Sequence, residues 1–275
     1  MKAAAIQMVS STNVGVNRRE ARRLLERAAG EGAELAVLPE YFCLLGMKDT
    51  DKLAIAETPG DGPLQDFLAT CARDFKLWIA GGTLPLKTAE ADRAFNTTLA
   101  YNPAGEQVAR YDKIHLFRFD DGQQRFDEAR VLQRGTTPVA FDLPSTDGHT
   151  WRVGMSICYD LRFPELYRAL AADLLLVPSA FTHITGQAHW ELLLRARAVE
   201  NLAYVLAAAQ GGVHDNGRRT WGHSMVVGPW GAVLAQQAEG AGVVIADILK
   251  SQLDAERLRL PALTHRVPLG GDAAP

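Results

Sequence analysis

The chain has 275 residues, 47% hydrophobic and 22% charged, with a net charge of −3. This is the balance of a globular protein with ample core material; it excludes the basic block of a nucleic-acid binder and the long apolar run of a membrane span. Its three cysteines, Cys43, Cys71 and Cys158, form no Cys-x-x-Cys pair and no zinc spacing, which fits a reducing cytoplasm.

The first eight residues, Met1 to Met8, are too short and too soon polar for a signal peptide, and residues 2–9 read as a buried strand. Residues 16–30 form an amphipathic helix with Leu24, Leu25 and Ala28 on one stripe, stopped at Gly30. Leu35-Ala36-Val37-Leu38 is a continuous apolar run, the pattern of a strand covered on both faces, and it halts at Pro39-Glu40. A carboxylate there lies at the C-terminal edge of a sheet, where open α/β folds place their sites.

Residues 62–76 form a second helix, with Cys71 on its apolar face, and residues 77–83 the next strand. The turn Asn102-Pro103-Ala104-Gly105 makes a hairpin of residues 96–101 and 107–111, followed by Asp112-Lys113-Ile114-His115. Residues 118–134 read as a long polar loop holding Phe126-Asp127-Glu128. A strand at 139–141 and a turn then lead to the strand ending at Cys158. Pro164 opens a helix, residues 174–177 are another buried strand, and a long helix covers 189–201. Strand 205–209, a hairpin of 224–227 with 232–235, strand 243–246 and helix 249–258 complete the series. Strands and helices alternate in both halves, each with a hairpin near its end, as in a diverged repeat without residue-level similarity. No linker divides the halves, so the chain reads as one domain over 1–265 with a loose tail over 266–275.

Cys158 carries the strongest chemical signal. A thiol where a strand turns into a helix meets free backbone N–H groups and the positive end of a helix dipole. Both favour the thiolate, and the same N–H groups can hold an oxyanion. A buried, inert cysteine fits the same local pattern. Glu40 and Lys113 also stand at strand ends. A carboxylate can take the thiol's proton and an ammonium can stabilise charge on the attacked group; surface charges are the plainer reading of both. His115 and His223 lack a second ligand at useful spacing and read as structural histidines, and Trp190 reads as packing.

Three segments in order resemble the signature motifs of the nitrilase (carbon–nitrogen hydrolase) superfamily: Leu38-Pro39-Glu40-Tyr41-Phe42, Tyr111-Asp112-Lys113-Ile114-His115-Leu116-Phe117, and the stretch from Ser156 through Cys158 to Leu166. The resemblance runs from the first strand to about Leu260. It implies an α/β fold, a four-layer α-β-β-α sandwich, and a cofactor-free thiol hydrolase without a metal. Glu40 would be the general base, Lys113 the cation at the tetrahedral intermediate and Cys158 the nucleophile. Glu128 would hold the lysine, and the N–H of Tyr159 would complete the oxyanion site. Pro178-Ser179-Ala180-Phe181, Ala208-Ala209-Gln210 and Gly222-His223-Ser224-Met225-Val226-Val227 resemble the Nit branch.

The branch implies a small acidic amide as substrate, deaminated glutathione first, with ammonia or amine release. α-Ketoglutaramate or α-ketosuccinamate is the alternative; N-carbamoyl amino acids, nitriles and a non-catalytic scaffold follow. True nitrilases carry Cys-Trp-Glu where this chain has Cys158-Tyr159-Asp160. An anionic substrate calls for a bidentate cation, and Arg162 is the first candidate, with His183 and Thr185 beside it and Arg118, Arg218 and Arg219 on nearby loops. The family also implies a homodimer or higher even oligomer, built through the helix after the cysteine and the long helix that follows, with no nucleic-acid or membrane partner.

Overall fold

Both faces of the strand Lys2–Gln7 are buried, and they meet different partners. Ala3 and Ala5 face a second sheet, while Ala4 and Ile6 face helices. The strand Leu35–Val37 repeats the pattern: Leu35 and Val37 turn to the inter-sheet side and Ala36 to the helices. This is why these segments read as unbroken apolar runs rather than alternating ones. The computed structural model describes residues 1–120, 122 and 125–267; the tail expected at the C-terminus lies, beyond 267, outside the described residues.

The architecture is the expected four-layer sandwich. Helices Val14–Gly30 and Pro63–Phe75 cover one sheet, and Pro164–Leu170 and His183–Asn201 cover the other. The first sheet runs Gly242–Asp247, Lys2–Gln7, Leu35–Val37, Trp78–Ala80, Ala94–Tyr101, Leu84–Lys87, with Gln107–Asp112 and Leu132–Gln133 also paired to Ala94–Tyr101. The second runs Ala140–Pro144, Thr150–Met155, Leu174–Leu176, Tyr204–Ala207, Ser224–Val227, Val233–Gln237. Each sheet holds a parallel trio joined by helices and then an antiparallel strand, so the two halves repeat in topology. The last strand departs from that scheme. It pairs antiparallel with the first strand, Ala4 opposite Ile245, and so returns to the first sheet.

Small residues set the spacing between the sheets. Ala3, Ala5, Ala80 and Ala100 face Trp151, Val153, Met155 and other large side chains of the second sheet in one buried cluster. The outer helices bury conventional stripes: Ala21, Leu24, Leu25 and Ala28 on the first, capped by Asn13 Oδ1 accepting from Val16 N–H at 3.0 Å. Cys71 is fully buried in the second helix, as its spacing predicts.

Two expectations are corrected. The long helix begins at His183 rather than His189, with Thr182 as its N-cap. Gly186 weakens the helical signal there, yet the structure needs it: a Cβ would sit 2.2 Å from Cβ of Trp221. The polar stretch 118–134 contains a small hairpin, Arg118–Asp120 with Arg125–Asp127, then a 3-10 turn at Glu128–Arg130. Packing of Phe117 against Phe119 and Phe126, ring centroids 6.2 and 5.8 Å apart, gives this short piece a core of its own. Among the described residues, no helix is long and apolar enough to cross a membrane.

The tight inter-sheet seam yields a test. Ala5→Leu places a large side chain between sheets spaced for alanine, and the urea midpoint should fall by the equivalent of about 1–3 kcal/mol. An unchanged midpoint would show the seam to be loose.

Candidate active site

Strand direction brings the chemistry to one edge. Leu35–Val37, Thr150–Met155 and Leu174–Leu176 end, respectively, just before Glu40, Cys158 and Ala180. Gln107–Asp112 is antiparallel to a strand that is itself antiparallel to Trp78–Ala80, so Lys113 emerges at the same edge. Groups far apart in the chain thus meet because their strands run the same way.

The central contact is an ion pair. Lys113 Nζ donates to Glu40 Oε1 at 2.8 Å and to Glu128 at 3.0 Å from Oε1 and 2.8 Å from Oε2. Lys113 is 1% exposed and Glu40 is equally hidden, so these charges have little water to lean on. Burial works against the Lys113 ammonium, but the carboxylates of Glu128 and Glu40 prevail and hold its pKa well above the ordinary value. Burial likewise opposes the Glu128 carboxylate, and the Lys113 and Lys52 ammonium groups outweigh it, keeping its pKa low.

Glu40 is fixed by further donors. Asn96 Nδ2 reaches Oε1 at 2.9 Å and the N–H of Ala180 reaches Oε2 at 3.0 Å. Glu128 accepts from the Tyr41 hydroxyl at 2.8 Å and from the N–H of Phe117 at 2.7 Å. The turn carrying Glu40 depends on a close approach: a Cβ on Gly82, at φ +55°, would lie 2.2 Å from the Pro39 carbonyl oxygen.

Cys158 sits in a strained elbow. Its φ is +50°, and that of Tyr41, beside Glu40, is +56°, both in the left-handed region that side chains disfavour. The elbow is held by Cys158 N–H on the Pro178 carbonyl at 2.9 Å and by Ile157 N–H on Asp160 Oδ2 at 2.9 Å. Asp160, wholly buried, also accepts from the Tyr111 hydroxyl at 2.7 Å and from the backbone N–H of His115 at 3.0 Å. Tyr111 and His115 flank Lys113, so one carboxylate ties the lysine segment to the cysteine turn.

The thiol does not behave as the sequence predicts. Burial pushes the Cys158 pKa well above the ordinary thiol range, the Glu40 carboxylate adds to the rise, and Lys113 opposes it. The helical turn at the joint is a five-residue 3-10 helix, Cys158–Arg162, too short to supply the dipole expected there. A raised pKa keeps the resting sulfur protonated.

Glu40 and Glu128 open onto a cavity of about 540 Å³, lined also by Tyr41, Lys52, Phe117 and Phe126. Of the three expected substrate-binding residues, the structure brings only His183 to this lining. Arg162 lies over the rings of Tyr159 and Phe181 and meets His189 Nδ1 at 3.3 Å. Thr185 turns its hydroxyl to that of Thr182 at 2.8 Å, part of the helix cap. Arg218 and Arg219 do line the cavity. His115 stacks on Phe163 at 3.7 Å and His223 on Trp221 at 4.4 Å, both in structural settings as expected. Asn96, Tyr41, Lys52 and the Ala180 N–H escaped sequence reading. Only Asn96 left a trace, as the first residue of the strand read at 96–101.

The carbon–nitrogen hydrolase family model matches residues 2–257. A deaminated glutathione amidase of Synechocystis sp. is 43% identical over 271 residues, 96% of this chain and 97% of its own. The crystal structure of the Caenorhabditis elegans NitFhit protein superposes with a TM-score of 0.87 at 39% identity over 96% of this chain, which spans 64% of that longer protein. An amidase of Nesterenkonia sp. AN1, solved with acrylamide added to its active-site cysteine, superposes with a TM-score of 0.77 at 27% identity over 95% of this chain and 98% of its own.

The protonated resting thiol makes a direct prediction. Labelling of Cys158 by iodoacetamide, followed by mass spectrometry, should speed up about tenfold per pH unit from pH 6 to 8.5, because only the thiolate reacts. A plateau below pH 7 would mean that a thiolate already rests there.

Proposed function

The chain belongs to the carbon–nitrogen hydrolase family and is an amidase of that kind, acting on non-peptide C–N bonds; from this premise we propose that its substrate is deaminated glutathione, cleaved through a thioester on Cys158. One observation carries the reading: the Glu40 carboxylate, near enough to raise the Cys158 pKa, is paired with a buried ammonium beside a cavity sized for a small ligand.

In the proposed reaction, Glu40 takes the proton from the Cys158 sulfur as that sulfur attacks the amide carbon. The oxygen of the attacked carbonyl gains negative charge, met by the Lys113 ammonium and the N–H of Tyr159. The tetrahedral adduct collapses, the C–N bond breaks, and Glu40 passes its proton to the departing nitrogen, here the amine of cysteinylglycine. Water enters, Glu40 takes a proton from it, and the hydroxide attacks the thioester carbon. The C–S bond breaks, α-ketoglutarate leaves, and the proton on Glu40 returns to sulfur. Glu128, fixed by Tyr41 and the Phe117 N–H, keeps the lysine in place through both halves.

A protonated resting thiol suits this scheme, because Glu40, whose charge raises the thiol pKa, is the base that accepts the proton when substrate excludes water. The same reading takes the chain to be a cytoplasmic homodimer. Leu192 and Val199 on the helix His183–Asn201 are 68% and 48% exposed, apolar surface that a second copy would cover.

The test is side-by-side turnover. α-Ketoglutarate and cysteinylglycine should appear from deaminated glutathione faster than ammonia from α-ketoglutaramate, an N-carbamoyl amino acid or a simple nitrile. Cys158→Ala should lower the rate by roughly 10⁴-fold or more. Faster turnover of α-ketoglutaramate would move the assignment to an ω-amidase, and normal turnover by Cys158→Ala would refute the thioester.

A further inference from the structure

Lys52 differs from every other cation at the cavity. It comes from the short helix Asp51–Ala54 and lines the same cavity as Glu40 and Glu128. The two arginines of the lining are already paired, Arg218 with Asp49 at 2.9 Å and Arg219 with Glu239 at 3.2 Å. Lys113, behind the lining, is held by two carboxylates. Among the described residues, the one hydrogen-bond partner of Lys52 is the Tyr41 hydroxyl, at a long 3.4 Å. That hydroxyl gives its own proton to Glu128. The Lys52 ammonium also lies over the Tyr41 ring, 4.6 Å from the centroid.

An ammonium has three donors and no acceptor, so Lys52 has capacity left for a ligand oxygen. Its surroundings favour one. Burial lowers its pKa against the attraction of Glu128 and Asp49, so a ligand carboxylate at hydrogen-bond distance would stabilise its charged form. Three contacts, through Tyr41 and Glu128, separate it from Lys113, a gap that a short diacid chain can bridge.

We infer that Lys52 binds the carboxylate at the far end of the acyl part of the substrate, so that the cavity selects monoamides of short dicarboxylic acids. The inference rests on the amidase reading above and adds to it the group that recognises the anion. The ammonium end-on to a carboxylate supplies a charge-assisted hydrogen bond, of the kind whose loss weakens binding about 10–100-fold.

The test uses binding rather than turnover, so that it stands even if the favoured substrate proves wrong. α-Ketoglutarate should protect Cys158 of the intact protein from iodoacetamide, and its uncharged dimethyl ester should not. In Lys52→Met and Lys52→Gln the concentration needed for protection should rise about 10–100-fold, while Lys52→Arg, which keeps the charge, should retain protection. Equal protection by the ester, or by the Met and Gln variants, overturns the inference. Loss of protection in the Arg variant with an unchanged urea midpoint also counts against a charge-based role. Turnover of deaminated glutathione, measured separately, decides the substrate alone.

Discussion

The site turns on a single buried cation. The Lys113 ammonium lies between two carboxylates, each supplied by a different stretch of chain, and water reaches none of the three freely. Such a group is stabilising only while it is matched: removing one partner of a buried pair costs roughly 3–5 kcal/mol. The surrounding structure is arranged to keep it matched. Asn96 and the Ala180 N–H hold Glu40, and Tyr41 and the Phe117 N–H hold Glu128. Asp160 then ties the turn of Cys158 to residues on either side of the lysine, so sulfur and charge cluster cannot drift apart.

This arrangement explains why a buried thiol with a raised pKa is compatible with catalysis in the proposed mechanism. In that mechanism the Cys158 sulfur need not rest as a thiolate: burial and the Glu40 carboxylate raise its pKa, and Glu40 is the base that takes its proton. Strain at Cys158 and Tyr41, two side-chain-bearing residues in the left-handed region, is the conformational cost of aiming both groups at one point; such positions cost about 1–3 kcal/mol each. The elbow is secured by hydrogen bonds to the Pro178 carbonyl and Asp160 rather than by its own preference.

Much of the layout was legible in the residues. Unbroken runs such as Leu35 to Leu38 and Leu174 to Val177 announce doubly covered strands, and charged or polar residues at their ends mark the working edge of the sheet. Local periodicity does not carry pairing. Nothing in Gly242–Asp247 tells that it crosses back to the first strand, since register is decided by tertiary contact. Lys113 and Glu40 each look like surface charges alone; only the resemblance of three separated motifs joined them. The Arg162 guanidinium, near Cys158 in sequence, reads as an anion binder; in the structure it lies over the rings of Tyr159 and Phe181. Lys52 was invisible because its helix has four residues and no periodicity to read.

The central claim is that one ammonium, matched by two carboxylates, organises both the stability and the chemistry of this site. Lys113→Met, near in length and without charge, tests it most directly when kcat/KM and the urea midpoint are measured on the same preparation. The account predicts a folded protein with a midpoint lowered by the equivalent of roughly 3–5 kcal/mol and kcat/KM reduced at least about 10³-fold. Activity within tenfold of the parent, with the midpoint unmoved, would contradict it.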